Sequence, residues 1–405
     1  MLSPPISSAN FVVWFKSLPE CGATCLVEAI QTQSNCVLTD PACSCASQAV
    51  QAAAESCVLG SCTIPDALAT QNLTNSLCGV SSDDNERKFP VLYTFVVFSS
   101  IIVALRFIVR FTKPIPMWWD DYAALLSALI SVGFTVICGV SGELGLGLDL
   151  WAVQQENIST ILILGWAGQL CYIGSRFFIR VSIILFMMRI FRSSSARQVL
   201  IYMLALNAAI AVTYLFSVIF QCIPLSYFWE AWDGLHDGHC SNQWAIFFSA
   251  GIITTILDFA LILLPVRWIS QVHFSRSNKI TSLCMFSLGV VVIILSIFRI
   301  ISIYKFTHSN DITHYLANVA FWGGLELYVA NICACLPSLR PLLRPRFSDF
   351  RAWVTGAPKH SDATSQGVSD SHTQSSSRKR LANDDGFDRS HFEENPATYN
   401  DLPRV

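Results

Sequence analysis

Eight of the fifteen cysteines fall between residues 21 and 78. They read Pro19-x-Cys21-Gly22-x-x-Cys25, Cys36, Thr39-Asp40-x-x-Cys43-x-Cys45, Cys57, Cys62 and Cys78. Thiols at this density either oxidise in pairs or bind zinc. Zinc is disfavoured, because no histidine precedes His236 and an all-thiolate cluster outside a cell would oxidise. Disulfides suit a domain too small to bury much apolar surface, where each cross-link adds roughly 2–4 kcal/mol. Eight cysteines allow 105 pairings, and spacing does not choose among them. Asp40, just before Pro41, has the position of a helix cap or a turn start.

A second set of reactive side chains lies inside apolar stretches: Arg176, Arg180, Asp258, Arg299 and Glu326. An ionisable group at membrane depth costs about 2.5–3.5 kcal/mol on insertion scales, so each implies a function or a buried partner. Arg176 and Arg180 are four apart and share a helix face. Arg176 and Asp258 lie at similar depths in the inner half of their spans, which suits an interhelical pair. Such a pair is either a static brace or a switch whose breakage couples an outer ligand to the inner loops. Arg189, at an inner span end without a preceding acid, reads as a positive-inside anchor. Cys222 and Cys240 bound one outer loop and could be joined across it. Cys333 and Cys335 read as buried helix cysteines, with palmitoylation as the alternative.

Positioning these groups requires a membrane fold. Hydrophobic residues make up 53% of the chain and charged ones 13%, against about 25% charged in a soluble domain. With a mean hydropathy of +0.48, no single core of this size would hide the apolar surface from water. Windows of about 20 apolar residues give seven spans near 89–109, 119–140, 158–188, 198–220, 243–265, 279–303 and 314–338. Lys and Arg gather in alternate loops, as in Arg110 and Lys113, Arg189 to Arg197, Arg267 to Lys279, and Arg340 to Arg346. The loops between spans 2 and 3 and between spans 4 and 5 contain neither. The positive-inside bias then sets the N-terminus outside and the tail inside. The sequons at Asn72 and Asn157 fall on that outer side and are candidate glycosylation sites. Met1 to Phe15 lacks a basic n-region, and its apolar run is too short for a signal peptide. Either the first span inverts as a signal anchor or the start is incomplete.

The eight-cysteine spacing, together with Asp40, resembles the fungal CFEM extracellular domain over about residues 15 to 80. The resemblance implies a helical basket with pairs Cys21–Cys62, Cys25–Cys57, Cys36–Cys43 and Cys45–Cys78. It also implies that some relatives bind haem through the aspartate at the position of Asp40. A carboxylate is a hard donor, so that site would hold ferric haem and release it on reduction. The body resembles the fungal rhodopsin-like membrane domain over about 90 to 345. The residues that carry this are Asp120-Asp121-Tyr122, Ser182 with Arg189, Cys222-x-Pro224 with Trp229 and Cys240, Asp258, Leu264-Pro265, Glu326, and Cys335-Leu-Pro337-Ser338-Leu339-Arg340-Pro341. Together they resemble the CFEM-containing seven-span receptor-like proteins with which plant-pathogenic fungi sense host surfaces.

The expected fold class is therefore all-α. Residues 1–15 form an N-terminal segment, 16–80 the CFEM domain, 89–345 the seven-helix bundle and 346–405 a disordered cytoplasmic tail. The last span has no lysine, so retinal is not expected as a cofactor. There is no P-loop, HExxH or GxSxG to suggest an enzyme. The net charge of -2, without an extended basic patch, argues against nucleic acid as a partner. The expected protein is a plasma-membrane sensor surrounded by lipid, reading a surface cue or haem and contacting a G protein or another cytosolic partner. The alternative is haem-iron acquisition through Asp40, with the bundle as anchor. A transporter is a third reading, which the lack of an inverted repeat discourages.

Overall fold

The computed structural model describes residues 8–33, 36–38, 40–82, 89–112, 116–191, 193–270, 276–309 and 311–355. The chain is helical, in two parts. The first part comprises α1 (Ser8–Ser17), α2 (Glu20–Gln33), α3 (Pro41–Ala46), α4 (Gln48–Ser61) and α5 (Ile64–Cys78). Its short helices start where the sequence supplies caps: Asp40 before α3, Ser47 before α4 and Thr63 before α5 each accept from a first-turn amide. Gly79 ends α5 at φ 67°, a left-handed conformation that costs glycine little. Cross-links Cys21–Cys62, Cys25–Cys57, Cys36–Cys43 and Cys45–Cys78 tie these helices together. A small core of Ala29, Ile30 and Val50 lies between α2 and α4.

The second part is a bundle of seven helices long and apolar enough to cross a membrane. They are α6 (Phe89–Thr112), α7 (Trp119–Glu143), α8 (Gln155–Ile190), α9 (Ser194–Ile219), α11 (Gln243–Ser270), α12 (Arg276–His308) and α13 (Ile312–Thr355). Between α9 and α11, the two-residue strands β1 (Cys222–Ile223) and β2 (His239–Cys240) pair antiparallel around α10 (Tyr227–Glu230), and the Cys222–Cys240 disulfide closes this loop. Lipid offers no hydrophobic drive between helices, so close packing must hold them. Two glycines show how: a Cβ on Gly289 would lie 2.7 Å from Ile262, and one on Gly251 would lie 2.9 Å from Ile300. α11 and α12 therefore interlock at two heights.

The last helix reaches Thr355, past the expected span end at 338 and the expected start of a disordered tail at 346. Leu343, Phe347, Phe350 and Val354 recur at spacings of three and four, which continues a helical apolar stripe. Prolines within it are tolerated more readily than in soluble helices. Residues 356–405, including the serine and basic run Ser375 to Arg380, lie outside the described residues, as do residues 1–7 of the N-terminal segment 1–15, whose remainder belongs to α1.

The first part rests on two loops of the bundle. α5 packs on the 3₁₀ turn Leu150–Ala152 between α7 and α8, and on the turn Ala231–Asp233 in the disulfide-closed loop. Gln155 Nε2 donates to the Pro65 carbonyl at 2.7 Å.

Cross-link removal is expected to follow loop length. Replacing Cys25 and Cys57, 32 residues apart, with alanine costs about 4 kcal/mol by the chain-entropy relation. Replacing Cys36 and Cys43, seven apart, costs about 2.5 kcal/mol. Denaturant titration of the two double variants checks the order, and a larger loss for the short loop contradicts it.

Candidate functional site

The five ionisable residues singled out inside the spans converge on one cluster. Arg176, on α8, contacts Asp258 of α11, and its Nη2 lies 3.1 Å from Glu326 Oε1 on α13. Arg180, one turn further, donates Nε to Asp258 Oδ1 at 2.8 Å and Nη2 to the Thr254 carbonyl at 3.1 Å. Glu326 accepts from Tyr172 Oη at 2.6 Å and from the Ser296 hydroxyl. Arg299 of α12 lies 3.8 Å from its other side and 4.1 Å above the Tyr172 ring. One guanidinium thus spans α8, α11 and α13, and its neighbours bring in α12. Arg176, Arg180, Asp258 and Glu326 are all buried.

Two further networks hold the bundle. Ser127 and Ser131 of α7, Ser175 of α8 and Asn331 of α13 exchange hydrogen bonds of 2.7–3.3 Å. Near the tail end, Arg106 of α6 is fully buried. It binds Asp120 at 2.6 Å and Asp121 at 2.8 Å, and donates to the Ala334 carbonyl of α13 at 2.9 Å. Arg110 adds a contact to Asp121 at 3.2 Å. Sequence reasoning treated Arg110 as loop charge and passed over Arg106, although the Asp120-Asp121 pair opening the next span was the signal that buried cations lay nearby. Arg189, read as a membrane anchor, is instead drawn into this group. It lies 4.0 Å from Asp120 Oδ1 and 5.7 Å from the centre of the Trp118 ring.

The remaining expected sites are dispersed. Asp40 is exposed, and its Oδ1 accepts the Cys43 amide at 3.2 Å as the cap of α3. Its second oxygen has no partner among the described residues, and Val37 beside it is 65% exposed. Among the described residues, no group of three or more His, Cys, Asp or Glu is placed to hold a metal ion. Asn72 is exposed on α5, whereas Asn157 is half-buried and its amide donates to the Leu144 carbonyl at 3.4 Å. Cys138, Cys171, Cys333 and Cys335 form no disulfide, and Cys138 and Cys335 are buried.

At the junction of the two parts, an acid pair was not foreseen. Asp311, just before α13, accepts the Leu150 amide at 3.1 Å and the His314 amide at 3.3 Å. Burial first, and then a hydrogen bond and like charge from Asp149, raise its pKa against the pull of those amides. His314 Nδ1 lies 3.9 Å from Asp149. Because the folded pKa is raised, the stability contributed is full below the ordinary carboxylate pKa of about 4. It is lost as pH rises through the raised value. Thermal unfolding of the full chain should therefore show its midpoint falling over that window. Asp311→Asn is expected to flatten the dependence, and an unchanged slope in that variant would refute the assignment.

Two family models match the chain: the CFEM domain over residues 14–79 and the fungal rhodopsin domain over residues 105–345. Wortmanamides biosynthesis cluster protein C of Talaromyces wortmannii is 27% identical over 276 residues, covering 65% of this chain and 72% of that protein. A SAT4 family membrane protein of Emericella nidulans is 25% identical over 245 residues, covering 59% and 58%. Receptor GIN3 of Arthrobotrys oligospora is 24% identical over 262 residues, covering 62% and 61%. The chain thus spans about three fifths of the length of the last two. No solved structure matches it. With seven membrane-length helices tied by buried charge behind four cross-linked disulfide pairs, the chain belongs to the fungal rhodopsin domain family and carries a CFEM domain ahead of the bundle.

Proposed function

We propose that this multi-pass membrane protein is a non-enzymatic, receptor-like sensor of the plasma membrane. In this reading the CFEM domain lies outside the cell and meets a surface cue, while the tail side faces the cytosol. The bundle signals there to a heterotrimeric G protein or another cytosolic partner. The lopsided distribution of Lys and Arg supports the orientation, and four disulfides favour an oxidising compartment for the CFEM domain. A relative named as a receptor supports the class.

The observation that carries the reading is the Arg176 bridge between Asp258 and Glu326. It joins α8, α11 and α13, and the CFEM domain rests on the loop that leads into α11. A push on that loop reaches α11 through the Cys222–Cys240 closure, and α11 carries Asp258. Buried ion pairs resist partial separation, since losing one partner leaves the other charge stranded in low dielectric at about 3–5 kcal/mol. Such a pair favours two discrete arrangements over a continuum.

Asp258→Asn and Glu326→Gln each weaken the bridge while preserving shape. In full-length protein in nanodiscs, amide exchange at the tail-side ends of α11 and α12 is expected to accelerate about tenfold or more, which corresponds to about 1.4 kcal/mol of lost closure. Exchange as slow as in the wild type would sink the switch.

A second reading, haem capture, is favoured by the exposed carboxylate of Asp40 with its unpartnered oxygen. Bound haem would supply a ferric centre, and Asp40 would offer it one oxygen. Ferric haem titration of the full chain, followed at the Soret band, is expected to saturate in the wild type and to fail in Asp40→Ala. Equal binding by both would remove Asp40 from the account.

A further inference from the structure

We infer that the centre of the bundle binds a small organic carboxylate with an apolar body about the size of a benzene ring. What binding does to the helices rests on the switch reading above; the site itself stands on geometry. Arg176, Arg180 and Arg299 line a cavity of about 130 Å³ among spans 2 to 7, while Asp258 and Glu326 form no part of its wall. Three arginines and neither carboxylate therefore line the cavity.

Charge in the cluster does not balance. Three arginines meet two acids, and a guanidinium stays protonated in proteins, so at least one positive charge is left over. A proton taken up by either acid increases the excess. An uncompensated cation at membrane depth is costly, and such charges normally find an anion. Arg176 is 4% exposed, and its Nε has no hydrogen-bond partner. Gln169, also on the wall, has a buried amide oxygen without one. Arg176 Nε therefore has a hydrogen bond to give, whereas the Gln169 oxygen only accepts and offers nothing to an anion.

Most of the remaining wall is apolar, including Phe134, Ile137, Phe177 and Phe247, with hydroxyl groups from Ser141, Tyr172, Tyr214 and Thr254 among them. A cavity of roughly 150 Å³ lined by such residues accommodates benzene. A carboxylate forms charge-assisted hydrogen bonds to guanidinium, and an apolar body fills the remaining space. Chloride offers the same charge but leaves the apolar volume empty, losing those contacts.

The test uses the full-length chain in nanodiscs, with unfolding midpoint and calorimetric titration as readouts and sodium benzoate as the probe. Benzoate is expected to bind saturably and to raise the midpoint, while neutral benzamide does neither. Arg299→Gln balances the charge and should weaken benzoate at least tenfold. Ala211→Phe fills the cavity without touching a charged residue and should abolish binding. The proposal is overturned if benzoate shows no saturable binding, if benzamide matches it, or if equimolar chloride reproduces the shift. Should Ala211→Phe fail to fold, Arg299→Gln decides alone, with unchanged benzoate affinity counting against the site. Benzoate binding without any change in exchange at the ends of α11 and α12 would sink the switch and leave the site intact.

Discussion

A guanidinium in a low-dielectric interior demands partners, and Arg176 finds two carboxylates by reaching two helices at once. Its bonds to Asp258 and Glu326 fix how α11 and α13 stand against α8. The surrounding groups follow from the same demand. Arg180 shares Asp258, and Glu326 gathers Tyr172, Ser296 and Arg299 around its two oxygens. Helix association in lipid lacks a hydrophobic drive, so this cluster, the serine and asparagine network and the Arg106 group supply directional holding that apolar packing alone does not. Each of the three polar layers includes α13, the most deeply buried of the seven helices.

The division of labour between helices is uneven. α7 and α8 pack along much of their length, and α13, the most buried span, joins them through side-chain hydrogen bonds and ion pairs. α11 and α12 pack most extensively on each other, and they are linked to the remainder both by charge, through Asp258, Arg299 and Ser296, and by apolar contacts of Leu261, Val292 and Phe298. Within that mixed contact the ion pairs are the directional part, which makes the Arg176 cluster a better place for control than the packed seam between α7 and α8.

Much of this was legible in the sequence because membrane spans are written in long apolar runs. Boundaries shifted by a few residues at most spans, where polar flanks are helical in three dimensions but fall outside an apolar window. The Arg176 and Asp258 pairing followed from depth counting alone. Glu326, Arg299 and Tyr172 could not be joined to it, since rotation of each helix about its axis is set by packing that no single segment encodes. Arg106 escaped because it lay near a span end, where arginine usually means interface anchoring. The cysteine spacing announced cross-links without their partners; the pairing came only from family resemblance. Asp311 and Asp149 were invisible because they come from different loops that the fold brings together.

The glycine seam between α11 and α12 restricts the kind of motion these helices can make. Gly251 faces Ile300 and Ile262 faces Gly289, so the two notches run in strict antiparallel register, eleven residues or about 16 Å apart. Sliding one helix along the other would drive isoleucine out of both notches together and against larger side chains. A piston stroke is thereby blocked, whereas a swing of the whole pair leaves the notches engaged. The two helices therefore move as one body, so a displacement of the loop end of α11 carries α12 with it.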